Sequence, residues 1–458
     1  MDDTETRSLL LDAAERAVRY LEALDARSVA ALPGAPERLR EILDAPLPEG
    51  PSSAGDALEV LDTFGSPATT ANAGGRYFGF VTGGALPAAL AANWLAGAWD
   101  QNAFSFTGSP AAAIFEDTAL RWLKQALGLP EEAAGTLVTG ATMANFTGLA
   151  AARHRVLAQA GWDVERQGLF GAPEITVFVG EEAHATLFKV LAMLGLGRDR
   201  VQRIATDDQG RMRGDVLPAI SGPAIVCLQA GNVNSGAFDP AREIILWAKA
   251  GEAWVHVDGA FGLWAAASPE HAALCAGFEV ADSWATDAHK WLNVPYDCGV
   301  AIVRDREALH RAMTISGAYL PPSGQGDALD RTPDSSRRAR ALEVWAALRT
   351  LGRSGLAELV ERNCRQARRF AEGLRAAGIE VLNEVVLNQV VAVFGEDTRT
   401  RRVVSAIQES GQCWCGGTTW KGRAAMRISI SSWATTDDDI ETSLRAIVKA
   451  NSETPPTP

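Results

Sequence analysis

The chain has 458 residues, 47% of them hydrophobic and 22% charged, with a formal net charge of −13. Such a length supports a large core and suits two domains, and the acidic balance excludes a general binder of nucleic acid or of anionic membranes. Six cysteines in a chain this long make no disulfide framework, and no run of about twenty residues is apolar throughout, which excludes a membrane span.

The first residues, Met1-Asp2-Asp3-Thr4-Glu5, are acidic where a secretory leader would be basic, so the cytoplasm is the expected compartment. From about residue 6 to 26, Leu9, Leu10, Ala13, Ala17 and Leu21 recur at helical spacing. Turn-rich sequence follows through about Pro67. Ala91 to Asp100 is apolar and carries Trp94 and Trp99, and a further helix then sets Phe115, Ala119, Trp122, Leu123 and Leu127 on one face. Gly128 and Pro130 stop it.

Beyond Gly135 short apolar runs alternate with helical segments. Strands are expected at 136–139, 175–179, 200–204, 224–229, 254–258, 282–286 and 299–303, with helices such as 143–159, 185–195 and 240–250 between them. This rhythm predicts an α/β fold with a mostly parallel seven-stranded sheet covered on both faces. In open sheets of that kind, ligands lie beyond the C-terminal strand ends. Ser316 to Arg337, rich in Gly, Pro, Ser and Asp, reads as a mobile active-site loop. Two helices follow, burying Leu342, Trp345 and Leu348, then Leu359, Cys364, Phe370 and Leu374. A small α/β domain closes the chain, with strands near 379–383, 389–394 and 425–431 and a helix at 399–410. Cys413 and Cys415 flank Trp414, a spacing that strand alternation explains better than metal ligation. In the last strand Met426, Ile428 and Ile430 face one way, while Arg427, Ser429 and Ser431 face the other. Thr436 with Asp439 is read as the capping box of a final helix. The expected division is a helical arm over 1–70, a large domain over 71–320, and a loop with a small domain over 321–458.

The chemistry concentrates in four places. Ser283-Trp284-Ala285-Thr286-Asp287-Ala288-His289-Lys290 ends an apolar run in a polar cluster with one lysine. A lysine wedged between strands loses solvent, which lowers its pKa toward a usable nucleophile, and such amines form imines with carbonyl compounds, pyridoxal phosphate among them. Trp254-Val255-His256-Val257-Asp258 delivers a carboxylate to a strand end, where the pyridine nitrogen of that cofactor needs one. Val138-Thr139-Gly140-Ala141-Thr142 is a strand running through a small-residue turn into a helix, suited to a phosphate. The turn lacks Gly-x-Gly-x-x-Gly and a Walker lysine, so both nucleotide readings are rejected. His184, just after the run 175–179, supplies a histidine, a residue that at such a place is as readily structural as functional.

In the order phosphate turn, histidine, aspartate, lysine, the sequence resembles pyridoxal-phosphate enzymes of the aspartate-aminotransferase fold type, and among them the group II amino-acid decarboxylases. The resemblance runs from about Gly75 to Trp433 and rests on Asp-Ala-His-Lys-Trp (287–291), His-Val-Asp-Gly-Ala (256–260), Gly-Asn-Val-Asn-Ser-Gly-Ala-Phe-Asp (231–239) and Arg-Tyr-Phe-Gly-Phe (76–80). It implies that Lys290 holds the cofactor as an internal aldimine and then shuttles protons, that Asp258 pairs with the ring nitrogen, and that His184 stacks on the ring. By the same resemblance Ala141 and Thr142 donate to the phosphate, with Asp287 and His289 completing that pocket. Ala260 lies against the opposite ring face and Asn232 near the 3′-oxygen. Arg427 matches the arginine that grips the substrate carboxylate, a solvated surface arginine being its alternative. Tyr77, Phe78, Phe80, Phe104 and Phe106 are candidates for a substrate pocket, or else ordinary core. The implied assembly is a homodimer with the N-terminal arm across its interface.

Loss of carbon dioxide needs the Cα–carboxylate bond held perpendicular to the conjugated ring. Decarboxylation of an L-amino acid to the amine is the activity that the resemblance implies. Oxidative deamination to an aldehyde, transamination, and a catalytically silent binding subunit are the alternatives. One departure bears on the choice. Many group II decarboxylases carry a tyrosine in the mobile loop, whereas the tyrosines here are Tyr20, Tyr77, Tyr296 and Tyr319, with none in Gly324 to Arg337.

Overall fold

The computed structural model describes residues 3–315 and 326–455. Within the larger of two compact units, Gly83–Arg368 with Asn383–Val390, seven strands form one sheet. They are β1 (Ala134–Val138), β2 (Thr176–Gly180), β3 (Gln202–Ile204), β4 (Ala224–Gln229), β5 (Trp254–Asp258), β6 (Ser283–Asp287) and β7 (Gly299–Val303), in the order β1-β7-β6-β5-β4-β2-β3. Only β7 runs against its neighbours. All seven expected strands are present, and the reason is plain in the text. A sheet covered on both faces needs unbroken apolar runs, and Ala-Ile-Val-Cys-Leu in β4 and Trp-Val-His-Val in β5 supply them. Helix Ala141–Gln159 packs on one face, burying Leu149, Ala150, Ala151, Ala152, Val156 and Leu157.

Of the expected loop, the part from residue 326 onward is described. It is tied down rather than loose: Asp327 accepts from the Phe106 N–H (2.8 Å), and the Leu329 N–H donates to the Phe104 carbonyl (3.0 Å). Arg337 is buried and grips Glu116 with both terminal nitrogens, at 2.8 to 3.1 Å. Removing one partner of such a buried pair leaves an uncompensated charge, at a typical cost of about 3–5 kcal/mol. Tyr319 lies outside the described residues. The two helices expected after the loop are both present within Ala341–Ala376, separated at Gly352, whose non-helical φ of 59° suits glycine.

The smaller unit comprises the chain up to Thr82, Arg369–Leu382 and the chain from Val391. Its N-terminal helix, Asp3–Glu22, buries no residue in the single chain, and Leu10, Leu11, Val18 and Leu21 are exposed. A four-stranded sheet has the order β10-β11-β9-β8, from β8 (Glu380–Val381), β9 (Gln389–Val393), β10 (Gly416–Trp420) and β11 (Arg423–Ser429). β10 has no counterpart in the sequence reading, because Gly-Gly-Thr-Thr-Trp shows no alternation of apolar and polar residues. The final helix, Asp437–Glu453, does begin with the capping box of Thr436 and Asp439. Among the described residues no helix is long and apolar enough to cross a membrane.

Candidate active site

A cavity of about 320 Å³ lies at the C-terminal ends of the parallel strands, within the usual range of roughly 300–1,000 Å³ for small-ligand sites. Each wall residue arrives from a strand end. Thr139, Gly140, Ala141 and Thr142 follow β1, His184 and Thr186 follow β2, and Gln229, Gly231 and Val233 come from the end of β4. Asp258, Ala260 and Phe261 follow β5, while Asp287, His289 and Lys290 follow β6. The structure thus brings together eight of the nine residues expected around the cofactor.

Lys290 is the cavity's amine. Its side chain is 20% exposed, and Nζ stands 3.0 Å from Asp287 Oδ2. The other Asp287 oxygen accepts the Ala141 N–H at 2.5 Å, so a carboxylate already sits at the N-terminus of helix Ala141–Gln159. His289 leans on Tyr296 with ring centroids 4.4 Å apart, and its Nδ1 accepts from the Cys298 N–H at 3.1 Å. Burial pushes the His289 imidazole down and favours its neutral form. Two close approaches shape this wall. A Cβ on Gly299 would come 2.4 Å from the Gly140 carbonyl carbon, and one on Gly83 would come 1.9 Å from the Lys290 carbonyl oxygen. Asn293, at a φ of 57°, turns the chain after Lys290 and donates to its carbonyl oxygen at 3.1 Å.

Asp258 is buried at the deep side. Burial pushes its carboxyl up from the ordinary range, and the opposing pull comes first from His184 and then from Lys290. Its Oδ1 accepts the Ala260 N–H at 3.3 Å. His184 has a structural duty as well as a place in the wall. It is the N-cap of helix Ala185–Met193, with Nδ1 accepting the Thr186 N–H at 3.3 Å.

Asn232 departs from the expectation. It is buried outside the cavity wall, and its amide is used within its own turn: Oδ1 accepts from the N–H groups of Asn234 and Ser235, while Nδ2 donates to Gln229 Oε1 and to the Glu182 carbonyl. Gln229, which the sequence reading passed over, faces the cavity from the same corner. Phe104 does not line the cavity either. Its ring lies over Gly108, where a Cβ would come 2.6 Å from it. In the smaller unit Tyr77 stacks on Trp414 at 4.9 Å. In that unit too, Arg427 sits on β11, largely desolvated, with no carboxylate pairing to it among the described residues.

A reachable amine, a deep carboxylate, a helix N-terminus and a histidine in the wall define a pyridoxal-phosphate site, and the residues fit that cofactor. A buried amide nitrogen, Asn145 Nδ2, also stands behind the acid with no completed hydrogen bond. Residues 36–394 match the family model described as "Pyridoxal-dependent decarboxylase conserved domain". The chain is 32% identical to an L-2,4-diaminobutyrate decarboxylase of Rhizobium meliloti (strain 1021), over 79% of this chain and 75% of that one. It is 26% identical to an aromatic-L-amino-acid decarboxylase of Bacillus atrophaeus, over 91% of this chain and 89% of that one. Its fold is shared with the crystal structure of Oryza sativa TDC with PLP and tryptamine, at a TM-score of 0.89, 25% identity and 99% coverage of both chains. The chain belongs to the pyridoxal-dependent decarboxylase family. Its cofactor is pyridoxal phosphate and its reaction is the decarboxylation of an amino acid.

Proposed function

We propose that the chain converts an L-amino acid to the corresponding amine and carbon dioxide, as a cytoplasmic homodimer, with Lys290, Asp258 and His184 as its catalytic residues. The observation that carries this reading is the Lys290 ammonium at the cavity wall, held by Asp287 at 3.0 Å, in a cavity that Asp258 also lines. Bound there, the cofactor supplies an electron sink for the pair left on Cα as the carboxylate departs. Lys290 Nζ would be the attachment point for the cofactor aldehyde and would serve as acid and base for the proton at Cα. Ionised Asp258 would accept a hydrogen bond from the ring N–H and so keep the proton on that nitrogen. His184 and Ala260 both line the cavity, where His184 would cover one ring face and the Ala260 methyl group would leave room at the other. The turn at Ala141 and Thr142 would hold the phosphate, the Ala141 N–H being shared with Asp287, which accepts it here, and His289 lying beside them.

Arg427 is the proposed holder of the substrate carboxylate. A largely desolvated guanidinium is costly without an anion, and no carboxylate of the described residues supplies one. A planar fork grips a carboxylate through two hydrogen bonds, which an ammonium does not reproduce. In Arg427→Lys, KM for the amino acid should rise about tenfold or more while cofactor content stays at the wild-type level. An unchanged KM would return Arg427 to a purely structural role. The homodimer reading is supported by Leu10, Leu11, Val18 and Leu21, an apolar stripe that the single chain leaves exposed.

The test is a panel of amino acids, followed for carbon dioxide, amine, aldehyde and ammonia under air and under nitrogen. Amine equal to carbon dioxide in both atmospheres is the expected result. Aldehyde with ammonia, formed only in air, would replace the amine reading with oxidative deamination. That control is warranted by the absence of tyrosine from Gly324 to Arg337.

A further inference from the structure

Behind Asp258 runs a chain of polar groups with no exposure to solvent. His256 precedes Asp258 by two residues on β5, so both side chains leave the same face of the sheet. Ser283 is the partner of His256 across β6, and Asn145 comes down from the first turns of helix Ala141–Gln159. The Trp254 Nε1–H donates to Ser283 Oγ at 2.9 Å. Ser283 Oγ lies 2.8 Å from His256 Nδ1, and His256 Nε2 lies 2.7 Å from Asn145 Oδ1. Relative exposure is 0% for Ser283, His256 and Asn145.

The direction of this chain is fixed at Asn145, whose Oδ1 can only accept. An indole N–H can only donate. Ser283 Oγ accepts from Trp254, and because the neutral imidazole must use its one N–H on Asn145 Oδ1, the Ser283 hydroxyl gives its hydrogen to His256 Nδ1. The imidazole, held neutral because burial pushes it down to about 3, then carries its single proton on Nε2 and gives it to Asn145 Oδ1. The Asn145 amide is held in this orientation by the hydrogen bond to its oxygen. Its Nδ2 is left over, buried and without a completed hydrogen bond, in the environment of Asp258, whose ionised form it favours. Space for the imidazole is kept by Gly148, where a Cβ would come 2.9 Å from both His256 Cε1 and Nδ1.

We propose that Asn145 is a positioning residue for Asp258: the Trp254–Ser283–His256 chain holds its amide so that Nδ2 donates to the carboxylate, keeping that acid ionised and aimed at the cofactor's ring nitrogen. The proposal rests on the reading of Asp258 as the ring-nitrogen partner. A donor behind one carboxylate oxygen leaves the other free to accept, and it stabilises the anion in a place that burial otherwise makes unfavourable to it. His256 and Ser283 act only through Asn145.

The test uses two ligands on the apoprotein, pyridoxal phosphate and its carba analogue with a C–H in place of the ring nitrogen. Both carry the same aldehyde and phosphate, so the ratio of their dissociation constants reports the ring-nitrogen contact alone. Wild type should prefer the natural cofactor. Asp258→Asn should abolish the preference, and Asn145→Leu should reduce it about tenfold, the ordinary effect of losing a hydrogen bond to a charged group. His256→Gln keeps a donor where Nε2 stood and should retain the preference, whereas His256→Phe should lose it as Asn145→Leu does. That pair decides the matter if Asn145→Leu does not fold. If Asp258→Asn abolishes the preference while folded Asn145→Leu or His256→Phe keeps it, this inference is wrong and the Asp258 reading stands. Should Asp258→Asn itself leave the preference intact, both are wrong. A merely structural role for Asn145 would weaken both ligands equally and leave the ratio untouched.

Discussion

Lys290→Ala should lower turnover about a thousandfold or more and leave any bound cofactor removable by dialysis. Two losses combine in that variant. The primary amine that attaches the cofactor disappears, and so does the group that stands ready to move a proton at Cα, a contribution that alone is typically worth about 10²–10⁴-fold. Among the described residues no second amine lines the cavity to stand in, the remaining polar wall residues being a glutamine, two histidines, threonines and the two carboxylates. The substitution also strips Asp287 of its partner at 3.0 Å, but that carboxylate keeps the Ala141 N–H at 2.5 Å. A folded protein with a vacated attachment point is therefore the expected product, and a melting curve close to wild type is the control. Normal turnover in this variant would remove the basis of the whole assignment.

For Asp258→Asn and Asp258→Ala the expected fall in kcat is roughly a hundredfold, the scale of losing a hydrogen bond between charged groups at the reacting system. Cofactor content should fall far less, because the amine and the phosphate donors are untouched. The contrast between the two readouts carries the information. An acid that only capped the turn after β5 would change stability and leave kcat alone. Asp258 accepts the Ala260 N–H at 3.3 Å, so some loss of stability is expected as well. Unchanged kcat in the alanine variant would mean that another acid serves the ring nitrogen.

How much of this was legible in the sequence depends on what each feature requires. The seven strands of the large sheet could be read because strands buried on both faces must be apolar throughout, and runs such as Ala-Ile-Val-Cys-Leu say so locally. The strand Gly416–Trp420 could not, since two glycines and two threonines leave no alternation to detect. Lys290, Asp258, His184 and the turn at Gly140 were found because each ends an apolar run, and strand ends are where such sheets bind ligands. Asn232 shows the limit of that method. Its position in the turn after β4 was read correctly, but the direction of an amide is set by neighbours, and here Glu182, Gln229, Asn234 and Ser235 use all of it. Gln229 lay one turn away and carried no signal of its own. The chain from Trp254 to Asn145 was out of reach for a different reason. It depends on the pairing of His256 with Ser283 across two strands and on the room left by Gly148 in a helix. None of these is a local property of the text.

The central claim is that Lys290 carries the cofactor, and reduction of the holoenzyme with borohydride followed by peptide mass mapping tests it most directly. Reduction makes the link between protein and cofactor permanent, so the label survives digestion and marks its residue. The label is expected on the peptide containing Ala288-His289-Lys290-Trp291, one per chain, and absent from the same digest of Lys290→Ala. A label on another lysine, with the Lys290 peptide unmodified, would contradict the account.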